Sequence, residues 1–170
     1  MTTGYVKLGM WVSSTTEDMD IFAYLRKLSP DGTSSDTVAR GILNVSHREL
    51  DPELSSPHRP YHTHTSEQKL SAGEVVPVEV EIWPTSMVFK QGDRIRLDIT
   101  PFDRREPGRA HYDGTYNLGE NTIYVGGDRA SYLQLPIVPP KQEVTNQRPI
   151  SSTSDMSPYF WICPQHFRFM

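Results

Sequence analysis

The segment PHRPYHTHT, residues 57–65, gathers three of the chain's six histidines. His62 and His64 stand two apart, so on an extended backbone both imidazoles point to the same side. His58 lies four residues earlier. Three ring nitrogens converging around one open position would suit a catalytic zinc ion. Proton transfer is the other chemistry such a cluster offers, if its loop borders a cavity. A fourth histidine, His111, sits in another polar loop and joins His58, His62 and His64 as a candidate polar or proton-transfer group.

The remaining reactive residue types are sparse. The single cysteine, Cys163, excludes an internal disulfide framework and any multi-cysteine metal site. It lies beside Pro164 with His166 nearby, and an inert thiol is the expectation. The run TEDMD places Glu17, Asp18 and Asp20 in one turn; without a partner loop it reads as an acidic turn, not a calcium site. No GxSxG, GxGxxG, Walker loop or HExxH occurs. Serine, histidine and aspartate are all present, but a triad is defined by geometry and not by inventory. No cofactor and no bound metal are expected.

Such residues need elements to hold them. Fourteen prolines and eleven glycines in 170 residues argue for many turns and against long helices. The formal charge of −4 gives no reason to expect nucleic acid or an anionic membrane as partner. The first residues lack a secretory pattern and no apolar run is long enough for a bilayer, so a soluble, cytoplasmic protein is the default.

Period-two alternation is clearest in EVVPVEVEIW, where Val76, Val78, Val80 and Ile82 share one face, and in DRIRLDI, where Ile95, Leu97 and Ile99 do the same. The KQGD between them suggests a reversal that makes these two strands antiparallel neighbours, with opposite charges pairing across the ladder. Further strands are predicted at 5–14, 20–28, 38–48, 121–125 and 131–138, with turn residues between them. Seven or more short strands imply an all-β fold, a β-sandwich or jelly roll. The expected organisation is a β-sandwich over 1–139, a Pro/Ser/Thr-rich linker over 140–158 and an aromatic C-terminal tail over 159–170. Such a tail would fold back over an exposed sheet face or edge, or serve as a dimer contact or binding lid. Residues 101–120 read as a long polar surface loop.

Taken in order, MWVSSTTEDMDIFAYLRKLSPDG, ARGILNVSHREL, YHTHTSEQKLSAGEVVPVEVEIWPTSMVFKQGDRIRLDI and YVGGDRASYLQLPIVP resemble the C-terminal domain of the X-prolyl dipeptidyl-peptidase (S15) and CocE/NonD hydrolase family, over residues 4–139. The resemblance implies a galactose-binding-like jelly-roll sandwich that, in whole family members, packs against an α/β-hydrolase domain carrying the triad. No residue here inherits a triad role. It also implies an N-terminally shortened domain whose leading strands are missing, leaving edges for the aromatic tail to cover. Where the family often has GHR, this chain has Gly92-Asp93-Arg94. The family carries a histidine-bearing stretch where PHRPYHTHT stands, which favours a structural loop pinned by imidazole hydrogen bonds to backbone carbonyls.

Three functions follow as expectations. One is a freestanding sandwich that binds a small molecule or a partner protein. Another is a small non-hydrolytic enzyme of cyclase or isomerase type, working in an apolar cavity lined by Trp11, Trp83, Phe102, Tyr112 and Tyr116. The third is an accessory or truncated piece of a hydrolase. A homodimer through an unpaired sheet edge or the tail completes the partner expectations.

Overall fold

The computed structural model describes residues 1–103 and 118–139, together with the backbone of two short C-terminal strands. Tyr112, Tyr116, His111, the 140–158 segment, Cys163 and His166 lie outside the described residues.

The described strands, nine in number, form two antiparallel sheets, as the alternation predicts: β1 (Thr2–Ser14), β2 (Asp20–Leu28), β3 (Ser35–Asn44), β4 (Val76–Met87), β5 (Arg94–Thr100), β6 (Asn121–Tyr124), β7 (Tyr132–Gln134), β8 (Tyr159–Trp161) and β9 (Phe167–Phe169). In the larger sheet β1 pairs with β4 along one edge. Its other edge is shared by β6 and β7 in tandem. The tail strands extend this sheet, β8 pairing with β7 and β9 with β6. The smaller sheet has the order β3-β2-β5.

Alternation decides what each strand buries. Val6, Leu8, Met10 and Val12 of β1 and Val76, Val78, Val80 and Ile82 of β4 face Ile21, Ala23, Leu25 and Leu43 of the other sheet. Each such side chain contributes about 1.5–3 kcal/mol when fully buried. β2 departs from simple alternation because Phe22 and Tyr24, on its opposite face, are buried as well. Its unbroken run Ile21-Phe22-Ala23-Tyr24-Leu25 is the sequence mark of a strand covered on both sides.

One expectation is overturned. β4 and β5 are not neighbours: β4 lies in the larger sheet against β1, and β5 lies in the smaller sheet against β2. The link between them crosses from one sheet to the other. Lys27 of β2 fastens that link, donating to the Val88 carbonyl at 2.8 Å and pairing with Asp93 at 2.9 Å. Asp93 stands at the middle of the GDR sequence, and also accepts from the Lys90 backbone N–H. The charges expected to pair between β4 and β5 find other partners, Asp98 taking Arg26 of β2 and Glu79 taking Lys7 of β1.

The sheets also meet along the β3 and β4 backbones. A Cβ built on Gly41 would collide with the Glu81 carbonyl oxygen and sit 3.0 Å from both the Glu81 carbonyl carbon and Ile82 Cγ1. Nearby, Thr85 Oγ1 donates to the Val38 carbonyl at 3.1 Å. Between Gly4 and Val6 the β1–β4 register shifts, so Tyr5 faces both Trp83 and Pro84. That is a bulge on an edge strand, a place where proline's missing N–H is readily tolerated.

Candidate functional site

The histidine loop is built as a brace. Residues 49–51 run antiparallel to 61–63, with Asp51 N–H donating to the Tyr61 carbonyl at 2.8 Å and Thr63 N–H to the Glu49 carbonyl at 3.1 Å. Arg48 ties the following segment down by donating to the Gln68 carbonyl at 2.5 Å. His62 is buried and its ring lies in hydrogen-bonding contact with the Glu79 backbone. Burial lowers its pKa; the Glu79 contact opposes that and the neighbouring His64 adds to it. His64 adopts a left-handed φ of 51°, so the pair does not share a regular extended backbone, yet their rings stand 5.9 Å apart. His47 completes a row at 5.7 Å from His64, a neighbour that spacing in the sequence did not reveal. His58 turns away, its Nδ1 2.8 Å from Gln134 Nε2. Among the described residues, no group of three or more His, Cys, Asp or Glu side chains is placed to hold a metal ion.

Outside this brace, the solvent side of the larger sheet carries paired charges on aromatic supports. Lys7 Nζ sits 2.9 Å from Glu79 Oε1, and the Tyr132 hydroxyl donates to the same oxygen at 3.0 Å. Burial works against the Lys7 charge, but its bond and attraction to Glu79 outweigh that and raise its pKa. The Tyr132 phenol is also pushed up, first by burial and then by the Glu79 charge. This trio is therefore a structural ion pair with a neutral phenol. It holds no base poised for neutral pH.

A second arrangement is more exposed. Arg59 bonds Glu81 at 2.8 Å while its guanidinium lies 4.9 Å from the Tyr5 ring centre and 5.6 Å from that of Tyr61. Across the bulge, the Arg40 guanidinium lies 4.6 Å from the Trp83 ring centre. Arg40 reaches Asp103 at 3.6 Å, and Tyr24 donates its hydroxyl to Asp103 at 2.6 Å. Asp103 is buried beside the exposed Phe102, and residues 104–117 of the segment expected as a surface loop lie outside the described residues. Composition hid that burial, because Asp103 is one of four carboxylates in a polar segment and nothing in the sequence sets it over Tyr24. Trp83 remains 55% exposed despite its stacking. Tyr5, Tyr61, Ile42 and Phe102 are exposed too.

The apolar lining expected of Trp11, Trp83 and Phe102 is not assembled. Trp11 faces Pro77 on β4, six positions from Trp83, which separates the two indoles by about 20 Å along the strand. Phe102 follows β5 on the other sheet.

The acidic turn is structural. Asp18 Oδ1 accepts from the backbone N–H groups of Met19 at 2.8 Å and Ser46 at 2.9 Å, and Asp20 accepts from Asn44 at 3.0 Å. Among the described residues no helix is long and apolar enough to cross a membrane.

Comparison with known proteins agrees with this architecture. The family model for the X-Pro dipeptidyl-peptidase C-terminal non-catalytic domain matches residues 2–134. A CocE/NonD family hydrolase from Staphylococcus aureus superposes with a TM-score of 0.72 at 38% identity, covering 81% of this chain and 28% of that one. Cocaine esterase from a Rhodococcus species is 27% identical over 147 residues, 80% of this chain and 23% of that enzyme. A Mycobacterium bovis protein named as a serine esterase is 29% identical over 144 residues. The chain thus spans only about a quarter of the length of these relatives.

Proposed function

Because the chain belongs to the X-Pro dipeptidyl-peptidase C-terminal non-catalytic domain family, we propose that it is a docking module without hydrolytic chemistry of its own, and that its partner is a hydrolase catalytic unit. The docking surface in this reading is the strip Tyr61, Arg59, Tyr5, Trp83 and Arg40. One observation carries it: Trp83 is 55% exposed yet held in place by Arg40, which is itself tied to Asp103. Trp, Tyr and Arg dominate the binding energy of protein interfaces, and side chains already fixed lose little entropy on docking. Both arginines keep a carboxylate partner, so covering the strip strands no charge. The named relatives are hydrolases and esterases about three to four times the length of this chain, which supports a hydrolase as the covering partner. The cyclase or isomerase alternative needs Trp11 and Trp83 on one cavity, and their separation speaks against it.

The test uses the Staphylococcus aureus CocE/NonD hydrolase with its corresponding domain removed. Adding this chain should raise the truncated enzyme's melting temperature and its hydrolysis of a chromogenic ester. Combining Trp83→Ala with Arg59→Ala should remove both effects. No effect of the wild-type chain would sink the docking reading. Ester hydrolysis by this chain alone, abolished by replacing one serine, would sink the non-catalytic reading.

A further inference from the structure

The row formed by His47, His64 and His62 leaves two of its ring nitrogens bare. His47 Nδ1 and His62 Nε2 are both buried, and neither meets a hydrogen-bond partner. His64 stands between them, its ring 5.7 Å from that of His47 and 5.9 Å from that of His62. Among the described residues it is the one non-glycine with a positive φ, a backbone conformation disfavoured by its Cβ. Release of the loop would relax it.

The charged groups around the row are already engaged. On β4, Glu79 bonds Lys7 and Tyr132, and Glu81 bonds Arg59. Glu49 accepts from the Thr63 and Ser66 hydroxyls, and Asp51 from the backbone N–H groups of Glu53 and Leu54. Arg48, next to His47, donates to the Val45 and Gln68 carbonyls and adds a positive charge. Among the described residues no carboxylate forms an ion pair with any of the three rings. A proton on His62 Nε2 would therefore make a buried donor without an acceptor. Its charge would also lie beside the next imidazole, 5.9 Å away. Both penalties vanish when the loop leaves the sheet and the rings enter water.

That loop carries Arg59 and Tyr61, two members of the docking strip. It reaches the larger sheet through Arg59 on Glu81, His62 on the Glu79 backbone and His58 on Gln134. We infer that the His47–His64–His62 row is an acid-sensitive latch on the docking strip. Neutral, it holds the loop against β4 with Arg59 and Tyr61 in place; protonated, it frees the loop and loosens the hydrolase partner. This inference rests on the docking reading above. The direction agrees with His62, whose pKa burial lowers. The closed loop is thus favoured above the ordinary imidazole value of about 6.5, and that preference is lost as pH falls through the lower folded value.

The affinity of the full-length chain for the truncated Staphylococcus aureus hydrolase, compared at pH 7.5 and pH 5.5, should fall about five- to tenfold at the lower pH. His62→Gln keeps a side-chain donor but takes no charge in this range. It should bind as wild type does at pH 7.5 and lose most of the pH difference. His47→Gln lies outside the loop, should also reduce the difference, and serves if the His62 variant folds poorly. Titration of the hydrolase itself cancels, because every variant meets the same enzyme. In the chain alone, the backbone amide NMR signals of Arg59 and Tyr61 should move between the two pH values in wild type and stay in place in His62→Gln. Binding equal at both pH values, or weakened as much in the variants as in wild type, would overturn the latch. Absence of binding at both pH values would sink the docking reading instead. Arg59 and Tyr61 signals that do not move in the wild-type chain would overturn the latch whether or not the hydrolase binds.

Discussion

Replacing Gly41 by alanine puts the closure of the sandwich to a quantitative test. Gly41 does not have a positive φ, so its backbone accepts any residue. Considered alone, Gly→Ala at such a site stabilises by about 0.4–1 kcal/mol, because alanine restricts the unfolded chain. The neighbours reverse the sign. The new methyl group would meet the Glu81 carbonyl oxygen, a backbone atom with no rotamer to escape through, and would press on Ile82 Cγ1 at 3.0 Å. Relieving that overlap requires the β3 and β4 backbones to part by about 1 Å, which breaks core contact on both sides of the gap. Overpacking of this kind costs about 1–3 kcal/mol, and the immobile partner places this case at the upper end. For a chain of this size, a loss of about 3 kcal/mol lowers the melting temperature by roughly 6–12 °C. Gly73→Ala is the control: its φ of 78° strains an alanine, but nothing lies within 4 Å of the added atom. That strain alone costs about 1–2 kcal/mol. Urea titrations of both variants give the comparison directly. A Gly41→Ala protein as stable as wild type, or more stable, would refute the close approach of β3 to β4 and with it the way the sheets are closed.

Two further outcomes follow from the geometry. Tyr24→Phe removes the 2.6 Å hydrogen bond to the buried Asp103 carboxylate and should destabilise by about 1.5–3 kcal/mol in the same titration, since bonds to charged groups are the stronger ones. His62 supplies a pH dependence. Its folded pKa lies below the ordinary imidazole value of about 6.5, so a released or unfolded loop binds the proton more readily than the native one. Its contribution is therefore complete above that value and is lost as pH falls through the lower folded pKa. Limited proteolysis within residues 57–65 should accelerate from pH 7.5 to pH 5.5, and His62→Gln should flatten that difference.

Strand positions were legible because apolar residues recur with period two in the sequences of β1, β4 and β5, and in β4 the burial follows that period. Partner choice was not, since alternation tells which way a side chain faces and not which strand lies beside it. The KQGD turn suggested a β4–β5 hairpin, yet the bulge at Trp83–Pro84 and the grip of Lys27 on Val88 and Asp93 carry the chain to the other sheet. The histidine cluster was visible in the sequence but its contacts were not: His58 meets the Gln134 side chain, and His62 lies against the Glu79 backbone. His47 went unnoticed because it joins the row from 15 residues upstream of His62, beside a short 3-10 turn. The aromatic–arginine strip was equally hidden. Arg59 stacks between residues 54 and 2 positions away in sequence, and Arg40 meets a tryptophan 43 positions on, contacts that only the paired sheets create.

Amide hydrogen exchange of this chain, measured alone and with the truncated hydrolase, tests the central claim most directly. The account predicts added protection in the peptides containing Tyr5, Arg59–Tyr61 and Trp83, with β2 unchanged. Protection absent from those peptides, or confined to the loops around Trp11 at the far end of the sheet, would contradict it.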